Sequence, residues 1–313
     1  MENKKKTITV VTPTFNEEQS IEKIYTIVKE IFNEIPDIDY NHLFIDNASK
    51  DNSQKILRQI AMNDKNVQVI LNRTNYGHIK SPFHAIKQTN SDATIFLVCD
   101  LQDPPILIKD FVKKWKDGSK LILGVKKTSK ENPFVFFIRK VYYKLLNYIS
   151  SEDLQENFLG FGLYDKEVVN YLKDIDDPEP YLRGLVIESG FKPEIITYDQ
   201  EKRVAGITKN NFFTLYDLAM IGITSYSKAP LRIIVLLSFF IGLISFLTSL
   251  VYFIYKLLYW NDFQLGVAPI IILFTLLFSI VLFFLGIIGE YILSIHIRLR
   301  KRPLVIEKER INF

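Results

Sequence analysis

The sequence Val-Cys-Asp-Leu-Gln-Asp-Pro-Pro, residues 98–105, follows the apolar run Ala93 to Leu97. An apolar run that ends on acidic residues and prolines predicts a buried strand whose carboxyl end opens onto a loop. In open α/β sheets, ligands bind at that edge. Asp100, Gln102 and Asp103 offer oxygen ligands, which suit Mg²⁺ or Mn²⁺ better than Zn²⁺. A helix cap explains an Asp before a proline equally well, so this stretch alone leaves both interpretations open.

Strand-like runs, each followed by a polar loop, alternate with helix-like segments over the first part of the chain. The polar loops are residues 13–18, 46–51, 72–77 and 100–105. This alternation predicts an α/β fold with a mainly parallel sheet covered by helices, and right-handed crossovers place the loops around one cleft. Capping or a tight turn accounts for each loop taken singly. However, capping does not require Asp46, Asp100 and Gln102 to share a sheet edge, whereas a phosphate-bearing ligand does.

Composition and missing motifs exclude several classes of protein. The 313 residues carry a net charge of +4 and a single cysteine, Cys99, which rules out an internal disulfide framework and agrees with a reducing compartment. The sequence contains no glycine-rich dinucleotide loop and no Walker motif, so we expect neither a Rossmann dehydrogenase nor a P-loop enzyme. We expect no nucleic-acid partner, because no nucleic-acid-binding motif accompanies the positive charge.

Two apolar runs near the end of the chain predict membrane-spanning helices. Residues 233–255 contain no charged side chain over 23 residues, and residues 263–289 contain none over 27. At about 1.5 Å per residue, each run can cross a hydrocarbon core of roughly 30 Å as a helix. Buried core helices are the alternative, but such helices rarely stay free of charge all round over this length. We therefore expect a transmembrane hairpin.

The charges beside these runs predict their orientation. Lys228 and Arg232 precede the first run, and four basic residues within 298–302 follow the second. The positive-inside rule places both flanks in the cytoplasm. The polar N-terminus, Met-Glu-Asn-Lys-Lys-Lys, does not have the pattern of a signal peptide. We expect a multi-pass protein of the plasma (bacterial inner) membrane with its large N-terminal domain in the cytoplasm.

Six short motifs follow one another over nearly the whole chain. They are Val-Thr-Pro-Thr-Phe-Asn-Glu (11–17), Phe-Ile-Asp-Asn-Ala-Ser-Lys-Asp (44–51), Asn-Tyr-Gly (75–77), Asp-Leu-Gln-Asp-Pro-Pro (100–105), Arg-Val-Ala-Gly-Ile-Thr-Lys (203–209), and Gly-Glu-Tyr (289–291) leading into Lys-Arg-Pro (301–303). In this order they resemble glycosyltransferase family 2, in its polyprenyl-phosphate glycosyltransferase branch, which includes dolichol-phosphate mannose synthases and bacterial O-antigen glucosyltransferases. The resemblance implies a GT-A-type nucleotide-diphospho-sugar transferase domain and a divalent cation, Mg²⁺ or Mn²⁺. It also implies a homo-oligomer, and transfer of a sugar from a UDP- or GDP-sugar to a polyprenyl phosphate such as undecaprenyl phosphate.

The resemblance further implies roles for individual residues. It places the donor nucleotide at Pro13, Phe15, Glu17, Asp46 and Asn75, the metal and diphosphate at Asp100 and Gln102, and phosphate-gripping cations at Lys126, Arg139 and Arg203. Among these, Asp100, Arg139 and Arg203 are the expected catalytic residues. Arg183 also follows the family pattern, near the acceptor. Charge logic agrees with these roles, because Arg and Lys hold phosphates by charge-assisted hydrogen bonds.

Two departures from the family pattern bear on the chemistry. Val98 stands where the metal motif usually begins with an Asp, and Gly160 and Gly162 stand where many members have the Asp and Arg of a Gly-Asp-Phe-Arg-Leu segment. A phosphate acceptor makes the loss of a base tolerable, because a phosphate monoester is mostly dianionic at pH 7 and can attack unaided. We expect a single inverting displacement at the cytoplasmic membrane face that yields a lipid-linked sugar.

The expected domain plan follows from the motifs and the apolar runs. It comprises a GT-A glycosyltransferase domain (1–210), interfacial amphipathic helices (211–230), a transmembrane hairpin (231–297) and a basic cytoplasmic tail (298–313). Two other functions stay open. One is transfer to a hydroxyl of a polysaccharide or glycolipid, which would need a base. The other is a non-catalytic membrane scaffold, which the residues at Val98 and Gly160 would suit.

Overall fold

The computed structural model describes residues 5–127, 155, 157–200, 267–299 and 302–313, with single positions between 236 and 258; in parts of 267–299 it describes the backbone only. The strands are β1 (Lys6–Thr14), β2 (Ile38–Asp46), β3 (Val67–Asn72), β4 (Ala93–Phe96), β5 (Leu121–Lys126), β6 (Phe158–Asp165), β7 (Glu194–Tyr198) and β8 (Glu307–Ile311). The helices are α1 (Ile21–Asn33), α2 (Ser53–Asn63), α3 (Gly77–Gln88), α4 (Ile108–Lys116), α5 (Lys166–Asp174), α6 (Leu182–Glu188) and α7 (Val267–Leu299), with a 3-10 turn over Pro105–Leu107.

The strands form one sheet in the order β7-β5-β6-β4-β1-β2-β3-β8. Strands β1 to β4 are parallel, β7 is parallel to β5, and β6 and β8 join antiparallel to β4 and β3. Because β1 pairs with both β2 and β4, the connections diverge between β1 and β4 and leave a crevice at their carboxyl ends. Ligands of open α/β sheets bind at such a switch point. The predicted α/β class with a mainly parallel central sheet is confirmed.

Helices cover both faces of the sheet and fix its loops in place. Val10 and Val11 of β1, whose side chains lie on opposite faces of the sheet, are both fully buried, as expected for a central parallel strand that is covered on both sides. Helix α1 buries Ile21, Ile24 and Val28, which recur at helical spacing, and it packs with α2 and α4 on one face. Helices α3, α5 and α6 pack on the other face. The loops at the carboxyl edge are therefore held by two hydrophobic cores.

Strand β8 is a feature that the sequence-based prediction of a basic tail missed. Its residues pair antiparallel with β3, from Glu307 opposite Asn72 to Ile311 opposite Val69. Glu309 forms an ion pair with Arg58 of α2, and the carboxylate of Glu307 lies 2.6 Å from the ring of His84 in α3. A strand with alternating charged side chains suits a sheet edge, because the charges discourage further pairing.

Helix α7 runs without interruption for 33 residues. Counting only residues that the structure describes, no helix meets the combined length and apolarity required to cross a membrane. The two-span hairpin stays a prediction, and most of its first run, residues 233–255, lies outside the described residues. Arg139, Arg203 and the interfacial helices of 211–230 also lie outside them.

His42 gives the stability of this fold a defined pH dependence. Its ring is buried in β2, Nε2 lies 2.9 Å from the Thr12 hydroxyl, and burial lowers its pKa from 6.5 to about 3. Because the unfolded chain binds a proton on this ring below pH 6.5 and the folded chain does not, stability falls as pH drops from about 6.5 toward 3. Between these pH values, we expect His42 alone to lower the free energy of unfolding by up to about 1.4 kcal/mol for each unit that the pH falls. Denaturant unfolding of wild type and His42→Phe at pH 7.5, 6.0 and 5.0 checks this, and equal slopes for the two proteins would contradict it.

Candidate active site

A cavity of about 550 Å³ opens at the carboxyl edge of the sheet, where the β1 and β4 loops diverge. Its size falls within the range of small-molecule sites. Seven residues of the predicted donor and metal set line it, namely Pro13, Phe15, Glu17, Asn75, Asp100, Gln102 and Lys126. The structure thus brings together side chains from the ends of β1, β3, β4 and β5.

The loop after β1 is tied to the loop after β2 by several hydrogen bonds. Asn16 adopts a left-handed backbone conformation with φ 55°, and its amide N–H donates to Ser49 Oγ at 2.8 Å. The side-chain oxygen Oδ1 of Asn16 accepts from the backbone N–H of Lys50, and the Glu17 N–H donates to Ser53 Oγ at 2.9 Å. These bonds hold Phe15 and Glu17 at the cavity wall.

Asp46 lies behind the cavity wall. The side chain is fully buried, and its carboxylate accepts hydrogen bonds from the Ser49 N–H at 3.0 Å, the Ser49 hydroxyl and Gln54 Nε2 at 2.8 Å. In this structure Asp46 organises the loop that supports the cavity wall at Asn47 and Asn16. The contact with the nucleoside that the resemblance implies stays a prediction.

Asn47 is a cavity residue that sequence reasoning did not single out. Its Nδ2 donates to Asn75 Oδ1 at 2.8 Å and to the carbonyl of Gly77 at 3.1 Å, while its Oδ1 accepts from Asn72 Nδ2 and the Tyr76 N–H. This network fixes Asn75 and the start of α3 relative to β2. The position directly after Asp46, at a strand end, was the available signal.

The loop that carries Asp100 has a constrained backbone. Leu101 has φ 58°, and the Gln102 N–H donates to Asp100 Oδ1 at 3.2 Å. Neither Pro104, before the 3-10 turn, nor Leu107, before α4, makes a side-chain capping bond in this described stretch. Asp103 instead accepts a hydrogen bond from the Tyr198 hydroxyl. The interpretation of this sequence as a simple helix cap is therefore wrong.

The buried carboxyl group of Asp103 is perturbed by its surroundings. Only 3% of the residue is exposed, and burial raises the pKa of its carboxyl group, while the Tyr198 hydrogen bond and the charge of Lys126 oppose that rise. Asp100, which is 7% exposed, adds a further negative charge nearby. Two carboxylates and one lysine thus share this end of the cleft.

The residues present fit a divalent cation that shares its ligands with a phosphorylated substrate. Among the described residues, no group of three His, Cys, Asp or Glu side chains is arranged to hold a metal ion. Val98 lines the cavity where a further carboxylate is usual in the family, which leaves Asp100 and Gln102 as the expected oxygen donors. Mg²⁺ commonly binds through one or two carboxylates plus substrate phosphates and waters.

The cavity is also lined by His78 at the start of α3 and Arg183 in α6. Desolvation first, and the charge of Arg183 second, lower the pKa of His78 below 6.5, so the ring is neutral at pH 7. The Arg183 guanidinium lies 5.9 Å from the centre of the Tyr181 ring, which also lines the cavity. The structure thus places a cation and a neutral imidazole in the same cavity as Asp100. Sequence reasoning had passed over His78.

The backbone accounts for the two glycines that replace the family's Asp and Arg. Gly160 has φ 108°, and a Cβ there would lie 3.2 Å from the Phe96 ring. A Cβ at Gly162 would overlap the carbonyl oxygen of Ile122 in β5. Neither position accepts a side chain without a shift of its neighbours, so the backbone path of β6 leaves no room for the Asp and Arg that many family members have there.

The sheet order and the cleft at its switch point define a GT-A-type α/β fold. The structure is similar to glucosyl-3-phosphoglycerate synthase from Mycobacterium tuberculosis, solved in complex with Mn²⁺, uridine diphosphate and phosphoglyceric acid. The TM-score is 0.52 at 17% sequence identity, over 70% of this chain and 76% of that one. At this identity the likeness concerns the fold.

The family model for glycosyl transferase family 2 matches residues 9–172, and the chain belongs to this family. It is 32% identical to the SfII prophage-derived bactoprenol glucosyl transferase of Shigella flexneri, over 96% of this chain and 97% of that protein. It is 33% identical to the bactoprenol glucosyl transferase of Shigella phage SfV, over 96% of this chain and 98% of that protein. The predicted family is confirmed.

Proposed function

We propose that this protein transfers a sugar from a nucleotide diphosphate sugar to a polyprenyl phosphate. The observation that carries the proposal is the cleft itself, which is lined by Asp100 and Gln102 together with two cations, Lys126 and Arg183. Such a cleft suits two anions, the diphosphate of a donor and the phosphate of an acceptor. Relatives that match almost the whole chain are named bactoprenol glucosyl transferases, which supports a prenyl-phosphate acceptor and glucose as the sugar.

The chain's own residues would act by holding and orienting the two substrates. Phe15, Glu17 and Asn75 bound the donor side, and Lys126 offers a positive charge to its phosphates. Asp100 and Gln102 would hold Mg²⁺ or Mn²⁺, which when bound supplies Lewis-acid stabilisation of the departing nucleotide diphosphate.

The acceptor phosphate needs no protein base, since its second pKa is near 6. Attack on the anomeric carbon from the face opposite the leaving group inverts that centre. Arg139 and Arg203, outside the described residues, would complete the phosphate grip.

We further propose that residues 1–210 work at the cytoplasmic face of the plasma membrane, anchored by the hairpin 231–297. The charge-free runs and their basic flanks support this placement, and a polyprenyl acceptor requires it. Asn211 to Lys228 mixes apolar and polar residues ahead of the first run, which is typical of helices that lie along a membrane surface.

A donor panel tests the proposed reaction. The full chain, purified in detergent, is incubated with undecaprenyl phosphate, Mg²⁺ and radiolabelled UDP-glucose, UDP-N-acetylglucosamine or GDP-mannose in turn. We expect label from UDP-glucose to move into an organic-phase product that mild acid releases. Donor hydrolysis alone, or binding without turnover of any donor, would contradict the proposal and favour the hydroxyl-acceptor or scaffold function.

His78 separates a phosphate acceptor from a hydroxyl acceptor, because it is the neutral imidazole on the cleft wall and the natural candidate for a base. A general base contributes on the order of 10²- to 10⁴-fold to a rate. If the acceptor is a phosphate, His78→Gln should lower kcat by about tenfold or less, and the rise of rate through pH ~6 should persist in the variant, since it belongs to the acceptor. A fall in kcat of about 10³-fold, together with loss of the rise in rate through pH ~6, would show that His78 is a base and would contradict a phosphate acceptor.

A further inference from the structure

Tyr198 is joined to the cation-binding end of the cleft through the backbone of the sheet. It is the last residue of β7, lies opposite Lys126 in the parallel β5–β7 register, and accepts the Lys127 N–H at its carbonyl oxygen at 2.8 Å. The residue is 5% exposed, and its ring meets the Phe161 ring edge-on with 5.7 Å between centres. The backbone pairing and the ring contact therefore fix the position and the direction of the Tyr198 hydroxyl.

The Tyr198 hydroxyl donates to the carboxylate of Asp103, across 95 residues of sequence. Asp103 comes directly after Gln102 and two residues after Leu101, whose positive φ makes the loop turn sharply. The bond thus ties β7, the strand at one edge of the described sheet, to the loop that presents Asp100 and Gln102 next to β4 at its centre. A left-handed Leu is costly by about 1 kcal/mol or more and persists only where the surroundings hold it.

Charge explains why this contact concerns the donor site rather than packing alone. Asp103, Asp100 and Lys126 all line the cavity, and the charges of Asp100 and Lys126 both act on the Asp103 carboxyl group. A buried hydroxyl needs a polar partner in any fold, and many backbone carbonyls would serve. Here the partner is the acidic residue that adjoins the expected metal ligands.

We propose that Tyr198 is a positioning residue for the donor-phosphate site. Its hydroxyl holds Asp103 and, through it, keeps Asp100 and Gln102 in the arrangement that receives a divalent cation together with the diphosphate of a nucleotide. This role deepens the proposed function and rests on it for the identity of the donor. Tyr198 touches neither substrate nor metal in this scheme.

Tyr198→Phe tests the role, because it removes the hydroxyl and keeps the ring against Phe161. Tyr25→Phe is the matched control, since the Tyr25 hydroxyl also donates to a carboxylate, that of Asp64, at 2.8 Å and away from the cleft. The probe is UDP titrated into the full-length protein by calorimetry at fixed Mn²⁺. We expect the UDP dissociation constant to rise about tenfold in Tyr198→Phe and less than twofold in Tyr25→Phe.

A second readout separates positioning from general destabilisation. If Tyr198 orients the ligands of the cation, raising Mn²⁺ should restore most of the UDP affinity of Tyr198→Phe, which it would not do for a protein that is merely less well folded. Unchanged UDP affinity in Tyr198→Phe, or a loss that Mn²⁺ does not restore, overturns the inference. If Tyr198→Phe binds UDP more weakly but the wild type transfers no sugar to undecaprenyl phosphate, the positioning role of Tyr198 stands and the polyprenyl-phosphate acceptor is withdrawn from the proposed function. Absence of UDP and GDP binding by the wild type would overturn both.

Discussion

Asp100→Ala is expected to lower kcat/KM for the sugar donor by about 1000-fold or more. Asp100 is the nearly buried carboxylate at the switch point, and with Gln102 it forms the expected donor set for the cation. Loss of the cation removes several kcal/mol of stabilisation from the departing diphosphate, and about 4 kcal/mol corresponds to three powers of ten in rate. Initial rates over a series of donor concentrations at saturating undecaprenyl phosphate give the value.

Asp110→Ala is the control for Asp100→Ala, because Asp110 is exposed in the first turn of α4 and lies outside the cleft. This variant should keep its rate within about twofold of wild type, as surface substitutions do in general. Retention of more than a tenth of the activity by Asp100→Ala would contradict the proposed role of Asp100. Thermal unfolding of both variants distinguishes a lost ligand from a lost fold.

Gly162→Ala is expected to destabilise the fold by about 3 kcal/mol, a lowering of Tm by roughly 6–12 °C. Gly162 lies in the middle of β6, paired with Phe96 of β4 and Leu123 of β5. A methyl group there would overlap the Ile122 carbonyl oxygen, so the two strands must separate. Because β5 ends on Lys126 and β6 carries Leu159, both at the cavity, activity should fall along with stability.

Gly118→Ala is the matched control for Gly162→Ala. Gly118 has φ 106°, but a Cβ there would meet no atom within 4 Å. It should therefore cost only the backbone strain of a left-handed residue, about 1 kcal/mol. Scanning calorimetry of both variants beside wild type measures the difference. Equal melting temperatures for Gly162→Ala and wild type would show that β5 and β6 are not held as closely as described.

The sequence predicted best the features that depend on residues close to one another along the chain. The strands that precede Asp46 and Asp100 are apolar runs followed by polar loops, and parallel topology alone places their ends together. For that reason the α/β class, and the meeting of most of the predicted donor and metal residues around one cavity, could be predicted. The same local logic could not tell that Asp46 would be buried behind that wall, since its partners, Ser49 and Gln54, are equally compatible with an exposed loop.

The missed features depend on contacts between distant parts of the chain. Tyr198 reaches Asp103 only because β7 pairs with β5, and nothing in the sequence around either residue indicates the pairing. Strand β8 has a charged composition that is typical of a tail, and its place beside β3 depends on partners such as Arg58. His78 lies near Arg183 because helices α3 and α6 pack on the same face of the sheet. The pattern of residues near each position carries no information on contacts between such distant parts of the chain.

Two acceptors that differ only in a phosphate group show whether the sugar is transferred to a lipid phosphate. The purified full chain is incubated with UDP-glucose, Mg²⁺ and either undecaprenyl phosphate or undecaprenol; mass spectrometry identifies the lipid products, and NMR gives their anomeric configuration. We expect a hexosyl adduct of undecaprenyl phosphate, in the anomeric form opposite to the donor's, and no adduct of undecaprenol. A hexosyl adduct of undecaprenol, or no adduct of either lipid, would contradict transfer to a lipid phosphate.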